Sequence, residues 1–68
     1  MKTKWLIATS IQGISREVTV EATQDEIPRL VRAEAPFIVE DEAYWDLRRS
    51  GYHSCACGDD FVSVEVLQ

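Results

Sequence analysis

The chain has 68 residues, 46% of them hydrophobic, and sets seven Lys and Arg against twelve Asp and Glu, for a formal net charge of −5. That length is expected to make a single domain, residues 1–68, since folding units run to roughly 50–200 residues, and the apolar content excludes wholesale disorder. No apolar run approaches the roughly 20 residues that cross a bilayer, and Lys2, Lys4, Arg16, Arg29, Arg32, Arg48 and Arg49 are too few and too scattered to favour a direct nucleic-acid partner.

Residues 4–11 read as a strand with Trp5, Ile7, Thr9 and Ile11 on one face and Leu6, Ala8 and Ser10 on the other. Gln12-Gly13 breaks it, and residues 15–22 alternate again, Val18, Val20 and Ala22 against Glu17, Thr19 and Glu21. Two such runs pair as an antiparallel hairpin. Thr23-Gln24-Asp25-Glu26 has the spacing of a capping box, with two acids suited to the positive end of a helix. Pro28 is tolerated only in a first turn, which places the helix start at Gln24 or Asp25. Ile27, Leu30 and Val31 form the expected apolar stripe, and Ala35-Pro36 ends the helix.

Phe37-Ile38-Val39 is either a brief strand or a linker tucked under the core. Glu40 to Arg49 reads as a second helix: acids at its start, Arg48-Arg49 at its end and Gly51 just beyond. The alternative, a hairpin turning at Ser50-Gly51, is less favoured. Tyr52–Cys57 and Phe61–Leu67 are two further strands around a three-residue connection, Gly58-Asp59-Asp60. The expected fold is α+β, a small antiparallel sheet of about four strands with one or two helices on one face. Val18, Val20, Leu30, Val31, Val62 and Val64 are its expected core.

Four groupings could carry chemistry. His53, Cys55 and Cys57 have the side-chain types of a zinc site. On a straight strand, however, alternate side chains stand about 7 Å apart, too far to converge on one ion, and no fourth soft ligand is at hand. No metal and no cofactor are therefore expected. The same residues offer a thiol beside an imidazole, but no Gly-rich oxyanion loop follows and no Gly-x-Ser-x-Gly elbow exists, so no catalytic residue is assigned. A disulfide between cysteines two apart would close a ring against its preferred geometry. Asp25-Glu26, Glu40-Asp41-Glu42 with Asp46, and Asp59-Asp60 gather eight of the twelve acids. They read either as helix starts and a turn or as an electronegative face that meets basic grooves. Tyr44 and Trp45 are helix neighbours and cannot both face the core, which leaves one exposed among those acids.

The run Val18-Thr-Val-Glu-Ala-Thr-Gln-Asp-Glu, a strand handing straight to a capped helix, resembles the strand–strand–helix opening of several anti-CRISPR proteins, small phage-encoded inhibitors. The resemblance covers roughly residues 4 to 34. It implies stoichiometric inhibition in a host cytoplasm, by blocking the nucleic-acid groove or a recruitment surface of a CRISPR effector, without catalysis. No site residue carries over from it. The expected function is thus a non-enzymatic acidic module that binds a protein with a basic surface through Glu40, Asp41, Glu42, Tyr44, Trp45 and Asp46. It is expected to be cytoplasmic, with no membrane partner, as a monomer or weak homodimer. The alternatives are a small metal-binding domain built on His53, Cys55 and Cys57, and a structural or accessory phage protein.

Overall fold

A computed structural model of the chain describes residues 2–67, so the two ends of the expected 1–68 unit, Met1 and Gln68, lie outside the described residues. The elements run β1 (Thr3–Ile11), β2 (Ile14–Ala22), a 3-10 turn (Gln24–Glu26), α1 (Ile27–Glu34), α2 (Glu40–Ser50), β3 (Tyr52–Cys57) and β4 (Asp60–Leu67). The fold is α+β, a four-stranded antiparallel sheet in the order β2-β1-β4-β3 with both helices on one face. The first and last strands are neighbours at its centre, and β2 and β3 form the edges. None of the described helices is long and apolar enough to cross a membrane.

Strand parity sets the core. Opposed residues share a face, so one row across the sheet reads Val18, Ile7, Val64, His53 and the next reads Arg16, Thr9, Val62, Cys55. Trp5, Ile7, Val62 and Val64 are buried under the helices, joined by Ile27, Val31, Ala35, Ile38, Ala43 and Leu47, while Val18 and Val20 are half-buried against them. The Trp5 indole donates to the Ala22 carbonyl at 3.1 Å, which satisfies its one polar atom inside the core. Gln12 (φ 53°) and Gly13 (φ 81°) both lie in the left-handed region, as a two-residue type I′ hairpin requires. The Gln12 N–H donates to Asp60 Oδ1 at 2.9 Å, so the tips of the two hairpins are tied together. The second connection is shorter than its composition implies: Asp60 opens β4 opposite Cys57, and only Gly58-Asp59 forms the turn.

The capping box at Thr23 and Glu26 forms as expected, but the α-helix begins at Ile27 rather than at Gln24 or Asp25, and its phase differs accordingly. Glu26 Oε1 accepts from the Thr23 N–H at 2.8 Å and from the Thr23 hydroxyl at 3.1 Å, and the chain passes through one 3-10 turn before α1 begins at Ile27. Counting about 100° per residue from Ile27, Val31 and Pro28 fall on one side and Leu30 well off it. Ile27, Pro28 and Val31 are the buried set, and Leu30, expected in the core, is 42% exposed. Phe37-Ile38-Val39 is a linker, with Ile38 buried and Phe37 half-buried against the core. The helical reading of Glu40–Ser50 holds over the hairpin alternative.

Gly51 ends α2 in the left-handed conformation, φ 74°, its N–H donating to the Leu47 carbonyl at 2.8 Å. Its own carbonyl accepts the Val66 N–H at 2.9 Å, which turns the chain directly into the sheet. A Cβ at this position would sit 2.7 Å from Val66 Cγ1. Gly51→Ala is therefore expected to cost about 1–3 kcal/mol, which a thermal melt reads as a drop of about 4–8 °C per kcal/mol for a domain of this size. A melt unchanged from wild type would mean that α2 does not enter β3 through this turn.

The Thr23 backbone N–H, and after it the Thr23 hydroxyl, hold the Glu26 carboxyl below the ordinary carboxylate range. With the folded value depressed, the stability this group contributes is fully present above the unfolded carboxylate value. It is lost as pH falls through the lower folded value. An acid titration followed by NMR is expected to show the Glu26 carboxyl carbon and the Thr23 amide moving together, with a midpoint below that of an unstructured Glu. A Glu26 midpoint at the unstructured value would show that the capping box is not closed in solution.

Candidate partner-binding face

Helix α2 has two unlike sides. Ala43 and Leu47, one turn apart, are its buried residues. On the far side Asp41, Glu42, Trp45, Asp46 and Arg49 line a shallow hollow of about 400 Å³. Positions one, four, five and eight residues on from the first fall on one continuous helix surface, so the hollow follows from helical spacing once Ala43 and Leu47 are turned inward.

Trp45 is the main apolar element of this face, 58% exposed. Its ring meets Tyr44 edge-on, centroids 5.2 Å apart at 85°. The Arg48 guanidinium carbon lies 6.0 Å from the Trp45 ring centroid, and the same side chain donates to the Tyr44 hydroxyl at 3.0 Å. The indole is thus held by two neighbours on its own helix. Tyr44 is half-buried, which resolves which of the two adjacent aromatics turns to solvent.

Asp46 joins the hollow to the interior. Its Oδ2 accepts from His53 Nδ1 at 2.7 Å, while Oδ1 takes a longer contact of 3.4 Å from Arg49. His53 is only 5% exposed, projecting from β3 toward the helices beside Val64. A carboxylate can only accept, so the proton of this contact sits on Nδ1. The Nε2 atom is buried with no hydrogen-bond partner among the described residues. Asp46 is therefore the ring's one hydrogen-bond partner among the described residues.

Of the six residues expected to form a site, Asp41, Glu42, Trp45 and Asp46 come together in the hollow, and Glu40 and Tyr44 lie outside it. Glu40 Oε2 accepts from Arg32 of α1 at 2.7 Å, in the seam between the helices. Arg49 and His53 are the members that sequence reasoning did not assign. Arg49 was legible from helical spacing, four residues after Trp45. His53 shares the helix-facing side of β3 with Cys55 and Cys57, as strand parity requires, but its register against α2 depends on the turn at Gly51. Cys55 is half-buried, its Sγ 4.0 Å from the Phe37 carbonyl, and Cys57 is exposed, both as free thiols. Among the described residues no group of three or more His, Cys, Asp or Glu side chains is arranged to hold a metal ion.

Comparison with protein-family models, with curated proteins and with solved structures returns no significant match.

The Asp46–His53 contact has a direct test in paired variants. Asp46→Ala leaves both ring nitrogens of a buried imidazole unpaired and is expected to cost about 1–3 kcal/mol in urea unfolding. Asp46→Asn keeps an acceptor oxygen in place and is expected to lose less than half as much. Equal losses in the two variants would assign the effect to charge rather than to the hydrogen bond.

Proposed function

We propose that the chain is a non-enzymatic binding module whose outer α2 face engages a basic surface on a partner protein. The observation that carries the reading is Trp45, exposed and flanked by Asp41, Glu42 and Asp46 in a single hollow. Interface hot spots pair an aromatic anchor with charged groups that steer approach. Here the aromatic supplies area that loses water on contact, and the carboxylates supply the sign. A Lys or Arg side chain is the complementary occupant, since it is drawn to both the acids and the indole face. The net charge of −5 extends the same attraction to long range.

Among basic protein surfaces, the resemblance of residues 4 to 34 to anti-CRISPR proteins names one: the nucleic-acid groove or nuclease-recruitment surface of a CRISPR effector. An acidic face occupying such a groove would inhibit stoichiometrically, with no reaction on the inhibitor. In that setting the protein acts in the cytoplasm of an infected host, as a monomer or weak homodimer.

Binding kinetics at two ionic strengths, against guide-loaded CRISPR effectors and against Lys-rich peptides, test the proposal. Asp41→Lys with Glu42→Lys is expected to slow association and flatten its salt dependence, because charges at the rim act mainly on encounter. Trp45→Ala is expected to speed release about tenfold, equivalent to about 1.4 kcal/mol. Wild-type rates in both variants, or no binding to either class of target at low salt, would reject this face as the working surface.

A further inference from the structure

The second free surface is at the other side of the sheet. β2 pairs with β1 in an unbroken register from Thr3 opposite Ala22 to Ile11 opposite Ile14, and with no other strand among the described residues. A two-residue hairpin makes Ile11 and Ile14 a mutually hydrogen-bonded pair. In an antiparallel ladder such pairs recur at every second residue, so Arg16, Val18 and Val20 spend their backbone groups on β1. The N–H and C=O groups of Ser15, Glu17, Thr19 and Glu21 therefore point outward from the sheet. Nine residues without proline or a bulge make this a template for an added strand.

We infer that the β2 edge takes an extended segment of a partner protein by strand addition, and that the segment alternates basic with apolar residues. Main-chain pairing gives such contacts their affinity and alternate side chains their specificity. On the helix-free face the edge presents Ser15, Glu17, Thr19 and Glu21, two acids and no base. The nearest cation on that face, Lys4, lies one strand further in, opposite Glu21. Cationic side chains of an added strand would stand beside Glu17 and Glu21. On the helix-facing side Val18 and Val20 are only half-buried, and Arg16 is already engaged by Glu34 at 3.2 Å. Apolar side chains of the added strand would cover the open flank of the two valines.

Charge decides against a second copy as the occupant. Two β2 strands paired about a two-fold axis would bring two acids each to one face, with no base between them. The other edge, β3, is shorter and carries no charged residue, and its Tyr52 carbonyl already accepts from the Ser50 hydroxyl at 3.4 Å. The β2 edge is also separate from the hollow on α2, which is anchored to β3 through His53. The two surfaces stand or fall independently.

The test uses the full chain and a capped peptide alternating Lys and Val, matched to β2 in length, with amide hydrogen exchange read residue by residue. Peptide binding is expected to slow exchange at Ser15, Glu17, Thr19 and Glu21 by about tenfold or more while Arg16, Val18 and Val20 change little. Thr19→Pro removes one outward N–H and leaves the β1 ladder intact, and is expected to abolish that protection. Glu17→Lys with Glu21→Lys is expected to transfer the preference to a peptide alternating Glu and Val, and keeps the test open if the proline variant does not fold. Trp45→Ala acts at the α2 hollow and is expected to leave the protection pattern at Ser15, Glu17, Thr19 and Glu21 unchanged. Absence of binding at low salt, protection at Tyr52, Ser54 and Ala56 instead, or self-association through β2 would overturn the inference.

Discussion

The hydrogen bond from His53 Nδ1 to Asp46 Oδ2 fixes how α2 sits on the sheet, and the surface the molecule offers follows from that placement. Only Ala43 and Leu47 of this helix are buried. Two small or medium side chains one turn apart give a helix little resistance to rolling about its own axis. A directional contact to a buried ring supplies what apolar packing alone does not. With Asp46 held at the edge of the core, Trp45 and the acids Asp41 and Glu42 are turned outward. The same carboxylate thus belongs to the packing of the protein and to its exposed face.

A chain of this length can enclose one side of a sheet and little more. The helices cover the face that carries Trp5, Ile7, Val62 and Val64, which leaves the other face and both edges without a neighbouring element among the described residues. What distinguishes the remaining surfaces is charge. Glu40 and Glu34 are each matched by an arginine from a neighbouring element, Arg32 and Arg16. Asp41 and Glu42 form no salt bridge among the described residues, and Glu17 and Glu21 form none on the edge strand. Asp41 and Glu42 on α2, and Glu17 and Glu21 on one face of β2, are thus acids not used internally, and both proposals rest on them.

Much of the fold was legible because it depends on short-range rules. Val18, Val20 and Ala22 alternate with Glu17, Thr19 and Glu21, and no helix would separate them so cleanly. The order of charges from Glu40 to Arg49, with Gly51 after it, was enough to favour α2. Leu30 was misplaced because the phase of α1 is set by the 3-10 turn before it, and an i, i+3, i+4 stripe does not reveal where a helix begins counting. In the shorter second turn Asp60 pairs with Cys57 and accepts from the Gln12 N–H across the sheet, a contact between residues far apart in the chain. The site was legible in the same proportion. Four of the five residues that line the hollow, all of them on α2, were found, whereas the removal of Glu40 to Arg32 and the arrival of His53 beneath Asp46 require the tertiary packing.

The state of the His53 ring is the most direct test of this account. Long-range nitrogen–proton NMR of the imidazole at neutral pH distinguishes a proton on Nδ1 from one on Nε2. The structure predicts a protonated Nδ1 whose hydrogen-bonded resonance disappears in Asp46→Ala. A ring protonated on Nε2 alone, with Nδ1 bare, would contradict it, since Asp46 Oδ2 would then lose its buried donor and the side-chain tie from the middle of α2 to β3 would be absent.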